Sequence, residues 1–208
     1  MIIHVTERQL FKQCRRSWQY AYREFLQPPV DPINASWIGR GIHAALAGFY
    51  RGNDILKSFH YWLDKKLPQP ERDALTMEEF RNLQDIIELC ETMLLGYVDF
   101  ARRNDDFKVI AVEKALSGKI PYTKGRLVGT LDLLIRHRGR LWIYDHKSYT
   151  SFVNPDKLEL DDQMTAYLWL VWKTYGEVPA GATYNQLRKK IPAKPYLLKS
   201  GKSLSKDK

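Results

Sequence analysis

The chain has 208 residues, of which 44% are hydrophobic and 27% are charged, and its formal net charge is +9. These values are typical of a soluble globular protein, and the length favours one domain with appended helices over two independent domains. No apolar run reaches the roughly 18 residues of a membrane-spanning helix. The first residues also lack the basic-then-apolar order of a signal peptide. We therefore expect a cytoplasmic protein with no membrane partner.

The positive charge is concentrated at the N-terminus, in residues 101–147 and in residues 188–208. A basic field of this kind suggests an anionic partner, most commonly nucleic acid, although many basic proteins bind none. The two cysteines, Cys14 and Cys90, are too few for a disulfide scaffold or a four-thiolate metal site. Both are expected to be small buried side chains.

The first half of the chain is predicted to be helical. Thr6 and Gln9 resemble a capping box that opens a helix running to about Phe25. Prolines are expected to end this helix and to break the chain again further on, namely Pro28, Pro29, Pro32, Pro68 and Pro70. Further helices are predicted at 36–50, with Ser36 as its cap, at 54–66, and at 76–103, where Thr76 and Glu79 repeat the capping pattern.

After Asp106 the composition changes to β-branched and apolar residues interrupted by glycine-containing turns. This pattern predicts strands at 109–120, 127–136, 141–147 and 181–187, with a helix at 158–175 before the last strand. The residues from Ser200 onward are polar and rich in lysine, and we expect them to be disordered or an incomplete element. The predicted order is a helical half followed by β-β-β-α-β.

The most informative segment is a predicted hairpin with Arg138-Gly139 as its two-residue turn. Counting outward from this turn places Asp132 opposite Asp145, with Cβ atoms about 4.5–5.5 Å apart. Lys147 projects from the same face as Asp145 because side chains alternate along a strand. The flanking residues are apolar on both faces, which is typical of central strands. Three charged groups in such strands call for an explanation.

A divalent cation explains this arrangement, because two neighbouring carboxylates repel each other unless a cation lies between them. Oxygen ligands favour Mg²⁺ or Mn²⁺ over zinc. Such a cation neutralises charge on a phosphodiester and activates water, and an ammonium group nearby stabilises the developing oxyanion. The alternative is a cross-strand pair of surface charges with a neighbouring lysine, and the Asp-x-Lys spacing alone does not separate the two interpretations.

Five motifs in order resemble the PD-(D/E)xK nuclease superfamily, and within it the RecB-type exonuclease branch, which is related to CRISPR-adaptation and phage exonucleases. The resemblance runs from Phe11 to about Lys190. The matching elements are Gly41-Ile42-His43, Ala111-Val112-Glu113, Gly129-x-x-Asp132, Asp145-His146-Lys147 and Gln163-x-x-x-Tyr167. The resemblance implies an α/β fold with a restriction-endonuclease-like core, a mixed central sheet flanked by helices, and a helical N-terminal part.

The resemblance also implies roles for these residues. The metal ligands would be His43, Glu113, Asp132, Asp145 and the backbone carbonyl of His146. Asp132, Asp145 and Lys147 would be catalytic, with Gln163 and Tyr167 contacting DNA backbone or bracing the Lys147 strand. The residues alone favour other roles: a core or surface position for His43, a solvent-facing strand position for Glu113 and ordinary helix packing for Tyr167.

Within this resemblance Arg15 follows Cys14 where the family usually has proline, and no cysteine follows Cys90. We therefore expect no iron–sulfur cluster and a Mg²⁺ or Mn²⁺ cofactor. No phosphate-binding loop of a helicase is present, so any helicase or recombination partner would be a separate protein. Four arginines in the helical part are predicted to line a DNA channel, or else to be solvated helix surface: Arg15, Arg16, Arg23 and Arg40.

The predicted organisation is one structural unit with a helical part over 1–105, a nuclease core over 106–190 and a basic, disordered or truncated tail over 191–208. The predicted function is a metal-dependent DNA exonuclease in recombination, repair or phage DNA processing, located in the cytoplasm of a bacterium or a phage-infected host. The alternatives are a non-catalytic nucleic-acid-binding module on the same fold and a restriction-type endonuclease. The Gln-x-x-x-Tyr helix argues against the endonuclease.

Overall fold

The computed structural model of the chain describes residues 1–26, 35–152 and 161–192, together with the backbone of Tyr196–Leu197 and Ser203–Leu204. The helices in the described part are α1 (Val5–Gln13), α2 (Arg15–Tyr22), α3 (Ala35–Tyr50), α4 (Ile55–Lys66), α5 (Gln69–Asp73), α6 (Met77–Asn104) and α7 (Asp162–Tyr175). The strands there are β1 (Ile2–His4), β2 (Lys108–Lys119), β3 (Arg126–His137), β4 (Arg140–Tyr149), β5 (Gly181–Arg188), β6 (Tyr196–Leu197) and β7 (Ser203–Leu204). None of the helices in these segments is both long and apolar enough to cross a bilayer.

Two of the predicted helix starts are confirmed by their caps. The side chain of Asp54 accepts a hydrogen bond from the backbone N–H of Lys57 at 2.8 Å, and α4 follows directly. Thr76 and Glu79 form the reciprocal capping box at the start of α6. These side chains satisfy backbone N–H groups that lack partners in the first helical turn. The helix predicted at 36–50 is also present as α3, but Ser36 lies inside it and not at its cap.

The single helix predicted from Thr6 to Phe25 is wrong. Cys14 adopts an extended backbone that divides it into α1 and α2, and the Cys14 sulfur accepts a hydrogen bond from the Ser17 N–H. Cys14 is exposed and not buried as expected, whereas Cys90 is buried. The cap of α1 involves His4, whose N–H donates to Glu7 at 3.2 Å, and not Thr6 with Gln9.

The proline predictions have mixed outcomes. Helix α2 ends at Tyr22, before the prolines at 28, 29 and 32, which lie outside the described residues. Pro68 directly precedes the short helix α5, and Pro70 lies in its first turn. Proline is tolerated there because the N–H groups of a first turn have no helical partner. The break predicted between α4 and α6 therefore contains a helical turn.

Strands β1 to β5 form one mixed sheet in which β3 is central. Strands β3 and β4 pair antiparallel from Leu133–Tyr144 to His137–Arg140, which is the predicted register. Arg138 and Gly139 both have positive φ, 47° and 78°, as a two-residue type I′ turn requires. Strand β5 pairs parallel to β4, and all four predicted strands are confirmed.

The two edges of β3 pair with different numbers of strands. Strand β2 runs antiparallel along nearly the whole of one edge. On the other edge, β1 pairs in parallel with residues 126–128 and β4 pairs with residues 133–137. Residues 129–132 lie between these two ladders, so the sheet opens beside Asp132. Strand β1 was not predicted from the sequence.

Two hydrophobic clusters pack against this sheet. One is built mainly from α3, α4 and α6 and includes Phe59, Leu83 and Leu94, with Leu187 of β5. The other joins α7 to β3 and β4 and includes Leu170. The structure therefore has the predicted α/β architecture, a mixed central sheet flanked by helices. In the tail, Ser203–Leu204 pairs with Tyr196–Leu197. The other residues from Ser200 onward lie outside the described part, and the expectation of a disordered or incomplete element there stays a prediction.

Candidate metal centre

The candidate site lies where β3 and β4 separate. Their ladder ends at Leu133–Tyr144, one pair short of the predicted opposition of Asp132 and Asp145. Beyond that pair, the N–H of His146 donates a hydrogen bond to Asp132 Oδ2 at 2.7 Å in place of a backbone partner. The two aspartates thus belong to neighbouring strands, but each carboxylate contacts a different set of groups.

Asp132 belongs to a cluster with His43 of α3 and Glu113 of β2. One ligand atom from each residue lies within 4.8 Å of the others, an arrangement that can hold a metal ion. His43 Nδ1 lies 3.4 Å from Asp132 Oδ1. Glu113 lies across the sheet from Asp132, between the ladder pairs Val112–Leu133 and Lys114–Leu131.

Glu113 has a strained backbone, with φ of 49° in the middle of a strand. A residue with a Cβ rarely adopts this left-handed conformation, which costs on the order of 1–3 kcal/mol. Such strain persists only where the surrounding structure imposes it, and it is concentrated at functional sites. It therefore supports a role for the Glu113 carboxylate beside Asp132.

The charges in this cluster shift one another's pKa values. Burial opposes protonation of His43, but the hydrogen bond and negative charge of Asp132 outweigh it and raise the His43 pKa. Burial also disfavours the charged form of Asp132, yet the contact with His43 keeps its pKa below the usual range. The pKa of Glu113 is raised by burial and then by the charge of Asp132. A cation at the cluster would relieve the repulsion between the two carboxylates.

Asp145 is nearly inaccessible to solvent and forms an ion pair with Lys147, with Oδ2 and Nζ 2.6 Å apart. Burial raises the pKa of Asp145 to about 6, despite the opposing charge of Lys147. Its Oδ2 is buried and accepts no hydrogen bond, so Lys147 is the polar partner of this oxygen among the described residues. A buried carboxylate oxygen in this state fits a cation ligand, so the oxygen and nitrogen donors here suit a hard divalent metal.

Gln163 and Tyr167, one turn apart on α7, reach the same site. Gln163 Nε2 donates to Asp145 Oδ1 at 3.3 Å and to the Tyr167 hydroxyl at 3.1 Å. Its Oε1 accepts from Lys147 Nζ at 3.4 Å. Both side chains are buried, and burial raises the pKa of Tyr167 to about 12. The amide of Gln163 therefore links α7 to both charged groups of the Asp-x-Lys element.

The glycines of two sequence motifs permit close packing. A Cβ at Gly129 would lie 2.7 Å from the ring of Tyr167 and 2.9 Å from Val5. A Cβ at Gly41 would lie 2.8 Å from Trp62 of α4. Gly129 thus lets α7 approach the strand that carries Asp132, and Gly41 lets α4 approach the helix that carries His43.

The side chain of His146 packs against one member of the cluster that its own N–H supports, with its ring edge-on to the ring of His43 at a centroid distance of 6.2 Å. Its ring stacks on Tyr50 at a centroid distance of 5.8 Å, and its Nδ1 lies 2.8 Å from Asn185 Nδ2. Burial lowers the pKa of His146 to about 4, so the ring is neutral at physiological pH. This packing holds the backbone of β4 in place at the point where it contacts Asp132.

The structure brings only one of the four predicted DNA-binding arginines to the site. Arg40 lines a cleft of about 1490 Å³ together with His43, Glu113 and Lys147. The other three are exposed at α2 and lie against aromatic rings of their own segment: Arg15 on Phe11, Arg16 on Tyr20 and Arg23 on Trp18.

The sequence did not point to two residues that hold the site together. Gln9 of α1 donates hydrogen bonds to Gln163 Oε1 at 3.4 Å and to Asp161 Oδ1 at 3.1 Å. Asp161 also caps α7 and accepts a hydrogen bond from Tyr184 at 2.6 Å. The capping role of Asp161 is readable from an aspartate before a helix. No local pattern connects Gln9 to a residue so distant in the chain.

Comparison with known proteins agrees with this geometry. The family model of the PD-(D/E)XK nuclease superfamily matches residues 4–207, and no curated protein matches the chain. Nucleases of this superfamily use divalent metals and act on DNA, in keeping with the donors gathered at His43, Glu113 and Asp132. The chain belongs to the PD-(D/E)XK nuclease superfamily, with a restriction-endonuclease-like fold.

Proposed function

We propose that the chain is a Mg²⁺- or Mn²⁺-dependent DNA exonuclease of the RecB-type branch, acting in recombination, repair or phage DNA processing. The observation that carries the proposal is the cluster of His43, Glu113 and Asp132, which adjoins the ion pair of Asp145 and Lys147 in the lining of one cleft. A separate helicase or recombination protein would deliver DNA ends to this cleft.

In this proposal His43, Glu113, Asp132 and Asp145 hold the metal, together with the backbone carbonyl of His146. The buried Oδ2 of Asp145, which accepts no hydrogen bond, and the close approach of the other three ligand atoms support this set. A divalent cation held there supplies Lewis-acid chemistry that neutralises charge on the phosphodiester and activates water.

Lys147 is the proposed catalytic ammonium group. Its Nζ donates to Gln163 and pairs with Asp145, so the side chain is fixed at the edge of the cleft. A fixed ammonium group orients the attacking water and stabilises the negative charge that develops on the phosphate oxygens. Gln163 is a positioning residue, because it acts through Lys147 and Asp145.

The RecB-type assignment is supported by Gln163 and Tyr167. A glutamine and a tyrosine one turn apart lie on the same helix face, and here both join a single hydrogen-bonded group with Asp145. Sequence-specific endonuclease activity does not require such a group. The exonuclease interpretation therefore relies on this helix and not on the metal cluster.

The proposed activity predicts a defined pattern on three DNA substrates. Linear duplex, covalently closed circular duplex and single strands are incubated with Mg²⁺, Mn²⁺ or EDTA and followed by gel electrophoresis. We expect metal-dependent loss of substrates with free ends and survival of the closed circle. Cleavage of the circle would support a restriction-type endonuclease instead. Binding to DNA without cleavage in either metal would support a non-catalytic module.

Two variants test the proposed residues. Lys147→Ala and Asp132→Asn are each expected to lower the cleavage rate by about 100-fold or more, comparable to the loss of one transition-state charge stabiliser. Lys119→Ala and Asp85→Asn make the same chemical changes at exposed positions and should keep full activity. Circular dichroism checks that all four variants are folded. Full activity in both site variants would overturn the assignment.

A further inference from the structure

Helix α4 presents two different faces. Ile55, Phe59 and Leu63 are buried in the helical core. Lys57, Tyr61 and Lys65 recur at four-residue intervals, are exposed, and line the same cleft as the metal cluster. Residues four apart share one helix face and are separated by about 6 Å along the axis. The outer face of α4 is therefore a lysine–tyrosine–lysine row along the cleft.

This row is held beside the metal cluster by close packing of α4 on α3. A Cβ at Gly48 would lie 2.1 Å from Ser58 Oγ, and one at Gly41 would lie 2.8 Å from Trp62. The two glycines are seven residues apart on the helix that also carries His43, so they lie on one face. Their packing places the row and the cluster in one continuous cleft.

The lining of the cleft is strongly basic, and Arg51 donates a hydrogen bond to the Val112 carbonyl beside Glu113 at 3.3 Å. Arg40 and Arg51 of the α3 segment lie in it with the two lysines of the row. Within the described parts of the chain, Lys57 and Lys65 form no ion pair, so their charges are available to a ligand. The two acidic residues adjoining the row are both engaged, Asp54 as the cap of α4 and Asp64 in an ion pair with Arg72.

The position of Tyr61 indicates whether single-stranded or duplex nucleic acid fits the cleft. Its side chain is 71% exposed although it lies in a cleft, whereas its neighbour Trp62 packs on Trp37. An exposed ring between two ammonium groups suits a base that has left its stack, with phosphates on either side. Bases in a duplex are already stacked on their neighbours and do not offer this surface.

From this arrangement we infer that the cleft binds single-stranded DNA along α4, with a base stacked on Tyr61 and phosphates at Lys57 and Lys65. The strand is thereby led to the metal cluster, whose His43 and Glu113 line the same cleft. The inference rests on the proposed function, since it assumes that DNA is the substrate. It adds a preference for unpaired strands that the metal cluster itself does not define.

The test measures binding without cleavage. A fluorescein-labelled single-stranded oligonucleotide and the matching duplex are titrated with the full chain in EDTA, and fluorescence anisotropy is recorded at several salt concentrations. Tyr61→Ala should weaken single-strand binding about 5- to 150-fold, the usual effect of losing one base–aromatic stack. Tyr61→Phe should bind within about twofold of the parent, because the ring remains. Neither variant should change duplex binding.

The salt dependence of single-strand binding tests the roles of Lys57 and Lys65. Lys57→Ala combined with Lys65→Ala should reduce the slope of log K against log salt by about 1.4, because each phosphate contact on a single strand contributes about 0.7. Matched controls make the same changes outside the cleft, namely Tyr122→Ala and the pair Lys119→Ala with Lys124→Ala, all at exposed positions.

Three results would overturn the inference. They are unchanged single-strand binding by Tyr61→Ala, an equal loss of duplex binding by that variant, and an equal loss of single-strand binding by Tyr122→Ala. The cleavage assays on Lys147→Ala and Asp132→Asn stand apart from these measurements. A chain that binds single strands through Tyr61 but cuts nothing would refute the nuclease proposal and keep this one.

Discussion

The side-chain amide of Gln163 lies between two charged groups, and its nitrogen and oxygen each form a hydrogen bond with one of them. The nitrogen end faces the carboxylate of Asp145 and the oxygen end faces the ammonium group of Lys147. A glutamate at this position would face the Asp145 carboxylate with like charge, and a leucine would remove one hydrogen bond from each group. Glutamine is thus the side chain that orients both charges while adding none.

The replacement Gln163→Ala is accordingly expected to reduce kcat with little change in KM. Hydrogen bonds to charged groups are worth about 1.5–3 kcal/mol, which corresponds to a loss of roughly 10- to 150-fold. Steady-state kinetics on linear DNA with Mg²⁺ separates the two parameters. Thr165→Ala on the exposed side of the same helix is the control and should leave both unchanged. A Gln163→Ala enzyme that loses affinity alone would refute a positioning role.

At the scale of elements, the contact between α3 and α4 depends on very small side chains. Gly48→Ala adds a methyl group where Ser58 Oγ and Cβ already lie within 2.1 and 2.5 Å. Alanine normally stabilises a helix relative to glycine by about 0.5–1 kcal/mol. Here overpacking costs about 1–3 kcal/mol, so the clash should dominate and displace α4 from α3.

We expect Gly48→Ala to lower Tm by several degrees, given about 2–4 °C per kcal/mol for a chain of this size. Gly96→Ala, at a glycine of α6 with open space around it, should leave Tm unchanged or raise it. Adding Ser58→Gly to Gly48→Ala removes the obstructing atoms, so the double variant should lose less than the sum of the single variants. Additive losses in scanning calorimetry would refute this contact.

An element can be predicted from the sequence when residues adjacent to it in the chain determine its structure. The hairpin of β3 and β4 was predicted correctly because a two-residue turn determines its register through adjacent residues. Strand β1 has three residues and is a strand only because β3 lies beside it, so no pattern in its own sequence reveals it. The break at Cys14 is likewise invisible, because cysteine neither stops nor favours a helix strongly.

The site residues divide in the same way, into those that a local sequence pattern groups and those that only the tertiary fold brings together. Asp132, Asp145 and Lys147 could be grouped from strand alternation, but the pairing of Asp145 with Lys147 and of Asp132 with His43 depends on the separation of β3 from β4. Gln9 and the α4 row required the tertiary fold, because their partners are far away in the chain. The role of Arg15, Arg16 and Arg23 in DNA binding remains a prediction.

At the scale of the whole molecule, the metal cluster connects the helical half to the sheet. His43 comes from α3, whereas Glu113 and Asp132 come from β2 and β3. In the unfolded chain these residues are far apart and offer no joint site. A cation bound by all three would therefore stabilise the folded state of both halves together.

Thermal unfolding should report this coupling directly. A ligand at about 100 times its Kd adds roughly 2.7 kcal/mol to the stability of the folded state, which corresponds to about 5–10 °C in Tm. We expect Mg²⁺ or Mn²⁺ to raise Tm by this amount in the parent chain, in one cooperative transition. Asp132→Asn removes a charged ligand and should abolish most of the shift, and Asp85→Asn, at an exposed position of α6, should keep it. Because the measurement involves no DNA, an equal shift in both variants would place the cation elsewhere whatever the chain does to its substrate.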